Sequence, residues 1–143
     1  MPARSRAAPE LLVDTSVAVA LVVADHEQHQ RTIDALGDKR LGLSGHAAFE
    51  TFSVLTRLPP PARRAPAAVA RLLAGNFPDN RFLSAGGAAA LLTELAPRGI
   101  AGGAVYDALV GAAAAEHGCT LATRDQRALD TYRILDVSVE LLA

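Results

Sequence analysis

The chain has one cysteine, Cys119, one lysine, Lys39, and no tryptophan. A lone cysteine excludes an intramolecular disulfide and any thiolate metal cluster, and it suits a reducing compartment. Long apolar runs are missing too. The longest, Val17 to Ala24, falls far short of the roughly 20 residues that a membrane-spanning helix needs. Residues 1–9 carry charge, but only a few apolar residues follow before Asp14, too few for a signal peptide. The expectation is a cytoplasmic protein with no membrane segment and a flexible stretch over residues 1–9. Charge of one sign is also absent. A formal net charge of -1 leaves no overall field to attract polyanions or membranes, so recognition has to rest on local charge. Because Lys39 is alone among 14 basic residues, nearly all positive charge sits on arginine, whose planar fork of donors suits phosphate.

What the chain does have is apolar residues, 50% of its 143, enough for one domain with a real core over residues 10–143. Helical and strand-like segments alternate, the pattern of an α/β fold in which a parallel sheet is covered by helices on both faces. Strands are expected at about 10–13, 41–44, 81–84, 119–123 and 134–139, giving a five-stranded parallel sheet with about seven helices. Ser16 is expected to cap the first helix. Pro59-Pro60-Pro61 cannot continue a helix and marks an elbow after the helix that holds Phe49 to Leu58.

Four acids stand where apolar segments meet a helix start or a strand end: Asp14, Glu50, Asp107 and Asp125. In a parallel sheet the strand ends share one edge, and ligands bind outside it. Asp107 and Asp125 should reach the same level, because roughly ten helical residues carry the chain about 15 Å away and a strand of about five residues returns it by about 16 Å. Each acid has a local alternative, as a helix cap or a partner of the helix dipole. Glu50 fits that alternative least well, lying among Ala47, Ala48, Phe49, Phe52 and Val54, where an unpaired buried carboxylate would be costly. Four such acids at matching positions point to a shared divalent-metal site.

In Leu-Val-Asp14-Thr-Ser16, Ala-Phe-Glu50-Thr, Val-Tyr-Asp107-Ala-Leu-Val and Ala-Thr123-Arg-Asp125, the chain resembles the PIN-domain ribonucleases, specifically the toxins of VapBC-type toxin–antitoxin pairs. The resemblance covers nearly the whole chain after residue 9. It implies a three-layer α/β/α PIN-like fold and an endoribonuclease with Asp14, Glu50, Asp107 and Asp125 as catalytic and metal-binding residues. Ser16 and Thr123 would be polar helpers, Mg2+ or Mn2+ the cofactor, RNA the substrate, and a VapB-type antitoxin and a second copy in a homodimer the partners. Hydrolysis assisted by such an ion would leave 5′-phosphate and 3′-hydroxyl ends. One departure is that Gln126 and Arg127 follow Asp125 where many relatives carry a further acid, which puts a second metal in doubt; the next acid is Asp130.

Other residues are less specific. Arg124 adjoins the last motif and is the best candidate RNA contact. With four Phe and two Tyr there are few surfaces on which bases can stack, which favours structured or loop-presented RNA. His26 and His29 lack further zinc ligands at suitable spacing, and Tyr106 and Cys119 read as packing residues. Two alternatives stay open: an RNA-processing nuclease with no toxin role, and a non-catalytic RNA- or protein-binding module.

Overall fold

The computed structural model describes residues 9–143, so the expectation for residues 1–9 lies outside the described residues except at Pro9, which is buried. Four strands, β1 (Leu11–Val13), β2 (Leu41–Leu43), β3 (Leu121–Thr123) and β4 (Val139–Leu141), form a sheet in the order β2-β1-β3-β4. All three pairings are parallel, with Val13 opposite both Leu43 and Ala122, so the carboxyl ends of the central strands are level. The helices are α1 (Thr15–Val22), α2 (His29–Leu36), α3 (Ala47–Thr56), α4 (Pro66–Asn76), α5 (Ala85–Glu94), α6 (Ala104–Glu116) and α7 (Leu129–Ile134).

Strand side chains alternate between faces, and the core divides accordingly. Leu11 and Val13 of β1 join Val17, Leu21, Leu36, Leu55, Val69 and Phe77 on the side covered by α1 to α4. Leu12 points the other way, onto Val110, Ala114, Leu121 and Tyr132 beneath α6 and α7. Helix α5 packs outside α6 through Leu91, Ile100 and Ala108. The apolar stripes of α1, α3 and α4 are therefore largely consumed by the core.

Among the described residues the sheet has four strands, where five are expected. The segment expected as a strand at 81–84 keeps one parallel bridge, Ser44 to Arg81. The physical reason lies at the β2 edge. The Asn80 side-chain oxygen accepts from the Leu43 N–H at 2.7 Å, replacing a ladder bond with a side-chain one. Four residues on, Ser84 caps α5, its hydroxyl accepting from the Gly87 N–H at 2.9 Å. The last strand starts later than expected because α7 runs on to Ile134.

Candidate active site

Each of the four acids is delivered to the carboxyl edge by a different element. Asp14 follows β1 directly and is the N-cap of α1, its carboxylate accepting from the Val17 N–H at 3.3 Å; the cap is thus Asp14 and not Ser16. Glu50 and Asp107 lie in the first turns of α3 and α6. Asp125 lies just past β3, and Gly118, with φ 65°, makes the turn that brings the chain back from α6. The hydroxyl of Ser44, at the end of β2, donates to the Val110 carbonyl at 2.7 Å and ties that strand end to α6.

The four acids line one pocket of about 170 Å³ together with Thr15, Ser16, Val110 and Tyr132. Asp14 is its buried floor, 5% exposed. Ser16 donates to one Asp14 oxygen at 2.5 Å, and the Tyr132 hydroxyl donates to the other at 2.9 Å. Burial pushes the Asp14 carboxyl above its ordinary range, while hydrogen bonds from Ser16, Thr123, Tyr132 and the Val17 N–H oppose that shift. Nearer the mouth, Asp107 is raised to about 6, first by burial and then by the charges of Asp125, Asp14 and Glu50. Thr15 donates to Glu50 at 3.1 Å. Fully buried Thr123 accepts from the Asp125 N–H at 3.0 Å.

Two of these contacts, Tyr132 with Asp14 and Thr15 with Glu50, escape local sequence reasoning. Tyr132 and Asp14 are 118 positions apart, and the only signal for Tyr132 is an aromatic on the inner face of a short helix. Asp130 is no part of the site; its side chain is 90% exposed and faces Arg133. His26 and His29 turn to local partners, the Gln28 N–H and the Ala20 carbonyl.

Among the described residues, no group of three or more His, Cys, Asp or Glu side chains is already drawn together as a ready ligand set. The charges of Asp125, Asp14 and Glu50 that raise Asp107 are ones a bound cation would offset. The lining nevertheless fits a hard divalent cation. Its donors are carboxylate and hydroxyl oxygens, which suit magnesium or manganese keeping several waters. No lysine reaches the pocket to neutralise the acids, and Arg127, 3.6 Å from Asp125, is 94% exposed.

This arrangement, acids on the ends of β1 and β3 and the starts of α3 and α6, accompanies a match of the PIN domain family model to residues 11–134. The chain belongs to the PIN domain family. It is 49% identical over 135 residues to Ribonuclease VapC27 of Mycobacterium tuberculosis, covering 94% of this chain and 98% of that one. Ribonuclease VapC40 of the same species is 48% identical over 130 residues, covering 90% and 96%. In fold, this PIN domain is similar to VapBC2 of Rickettsia felis, solved bound to a promoter DNA fragment, with a TM-score of 0.66 at 16% identity over 93% of this chain and 98% of that one. It is also similar to DNA-bound VapBC of Salmonella typhimurium, with a TM-score of 0.67 at 18% identity over 94% and 98%. Among the described residues of this PIN domain, no helix is long and apolar enough to cross a membrane.

Arg124, the expected RNA contact, is committed inward. Its guanidinium donates to Gln28 at 2.7 Å, to Thr32 at 3.3 Å and to the Ala143 carbonyl, while its backbone N–H donates to Ser16 at 2.9 Å. The side chain braces α2 and the end of β4 against the site. Arg124→Ala is expected to lose about 1–2 kcal/mol, since hydrogen bonds from charged donors are the stronger kind. A melting temperature lower by about 5 °C would express that loss in a domain of this size, and an unchanged one would show that the brace carries no weight.

Proposed function

We propose that this chain is a metal-dependent endoribonuclease and the toxin of a type II toxin–antitoxin pair, cleaving RNA in the cytoplasm to inhibit translation. One observation carries the reading. Four carboxylates line a single pocket at the carboxyl edge of the sheet, in a chain about half identical to Ribonuclease VapC27 over nearly all of its length. Asp14, Glu50, Asp107 and Asp125 would hold Mg2+ or Mn2+, with Ser16, Thr123 and Tyr132 fixing the orientation of Asp14. The bound ion would supply positive charge to offset the negative charge that builds on the phosphoryl oxygens, and would acidify a coordinated water. Water adds to phosphorus and the bond to the 3′ oxygen breaks, leaving a 3′-hydroxyl and a 5′-phosphate. A VapB-type antitoxin and a second copy of the chain are the proposed protein partners, by analogy with the VapBC assemblies of similar fold.

The chemistry is tested by incubating total cellular RNA with purified protein in magnesium, in manganese and in EDTA. Discrete fragments with 5′-phosphate ends, absent in EDTA, are expected; 2′,3′-cyclic phosphate ends or intact RNA would overturn the reading. The biological role is tested by expressing the chain with and without a neighbouring antitoxin frame. Growth arrest only in its absence is expected, and equal growth would leave an RNA-processing nuclease.

A further inference from the structure

Tyr106, expected as a packing residue, is 54% exposed, and so are Phe49 at 65% and Phe82 at 47%. The remaining aromatics are core or partly buried: Phe77 and Tyr132 each at 1%, and Phe52 packed against the larger cluster. The few aromatic rings of this chain therefore divide cleanly, and every exposed one belongs to a single strip. Tyr106 stacks on His46, with centroids 5.1 Å apart and planes 28° apart. Phe49 leans on Phe82, with centroids 6.0 Å apart. His46 and Phe49 are three residues apart at the start of α3, which makes them neighbours on one helix face and joins the two pairs.

The strip adjoins two of the pocket acids in sequence. Phe49 precedes Glu50 on α3, and Tyr106 precedes Asp107 on α6. Burying such rings would be favourable, so leaving them in water costs stability unless something covers them. A second copy docked face to face here would bring its own Glu50 and Asp107 against these, which like-charge repulsion disfavours. A nucleotide chain presents complementary chemistry: the uncharged face of a base to the rings, where stacking tolerates any base, with its phosphate drawn to the pocket once a divalent cation is held among the carboxylates. The 5.1 Å spacing of His46 and Tyr106 leaves no room for a base between them, so His46 buttresses Tyr106 from behind.

Resting on the nuclease reading above, we propose that Tyr106, backed by His46, and Phe49, backed by Phe82, form a stacking subsite for unpaired nucleobases flanking the phosphate to be cleaved. The expectation of few stacking surfaces is thereby revised: the rings are few but gathered beside the site. The substrate class is RNA whose bases are already unpaired near the cut, in a loop or a single strand.

The test uses the full chain and a fluorescein-labelled single-stranded oligoribonucleotide of mixed sequence, alongside the same oligomer carrying abasic riboses. Binding is measured in EDTA, so that no bond is broken. Tyr106→Ala and Phe49→Ala are each expected to weaken binding of the base-bearing oligomer about tenfold and to leave the abasic one nearly unchanged, with Tyr106→Phe restoring affinity. Equal weakening of both oligomers, or of neither, overturns the subsite. A change in sedimentation to a smaller species with RNA binding intact would make the strip an interface between copies and also overturn it. Cleavage by the unsubstituted protein in magnesium is scored separately. Base-dependent binding without cleavage would sink the nuclease reading and leave the subsite standing, whereas cleavage with KM unmoved in both alanine variants would sink the subsite alone.

Discussion

Asp107→Asn is expected to abolish metal-dependent RNA cleavage, by about 10³-fold or more, while making the metal-free protein more stable at neutral pH. The two effects have one cause. Asp107 is partly buried and faces Asp125, Asp14 and Glu50, so its folded-state pKa is raised from 3.8 to about 6. A raised carboxyl favours the folded state below its unfolded pKa, and that contribution is lost as pH rises through the folded pKa. Wild type and variant should therefore melt alike near pH 3.5 and diverge through pH 6, with the variant the more stable above. Discounted for the exposure of Asp107 and for salt, the gain is about 1 kcal/mol, or about 3 °C. Added magnesium should reverse the order, since binding stabilises only a protein that holds the ion. A variant that melts below wild type in EDTA at pH 7.5 would mean that Asp107 makes a net favourable contact, and the picture of mutually repelling ligands would be wrong.

The acids were legible because each sits at a topological landmark that sequence does reveal. Apolar runs ending in Asp14 and Asp125 mark the ends of β1 and β3, and Gly118 marks the turn that returns the chain from α6. Their partners were not legible, because those contacts are set by packing between distant elements. Tyr132 reaches Asp14 only once α7 lies over the sheet, and Thr15 meets Glu50 across 35 positions. Arg124 shows a related limit. Beside the last acid an arginine resembles a phosphate contact, but the Gln28, Thr32 and Ala143 groups that claim it come from α2, its approach and the end of the chain.

The missing strand shows a different limit. Arg81-Phe82-Leu83-Ser84 has the apolar content of a strand, but edge pairing is won or lost by single hydrogen bonds. Asn80 takes the Leu43 N–H and Ser84 turns the chain into α5, so the ladder shrinks to one bridge. Tyr106 was misjudged by composition. An aromatic in an Ala-rich helix reads as core, yet α6 buries Ala108, Val110, Gly111, Ala113 and Ala114 and leaves Tyr106 on its outer face.

Gly42→Ala is expected to be the most damaging small substitution in the sheet. A methyl group there would lie 2.0 Å from the Asp79 carbonyl oxygen and 2.5 Å from its carbon, so backbone must move. The segment that would have to yield is the one that closes the β2 edge. It donates from the Asp79 N–H to Leu41 at 3.4 Å and from the Arg81 N–H to Leu43 at 3.2 Å, and it accepts through Asn80. Overpacking of this kind costs about 3 kcal/mol, which lowers the melting temperature by about 10 °C. Activity should fall too, because β2 feeds through Ser44 and Gly45 into α3 and so positions Glu50. Gly75→Ala separates steric strain from a general intolerance of glycine replacement. With nothing within 4 Å of the added methyl group, near the end of α4, it should gain about 0.5 kcal/mol from helix propensity. Equal melting temperatures for the two variants would show that the 79–81 segment is not held against β2, and the route from the sheet edge to Glu50 would have to be redrawn.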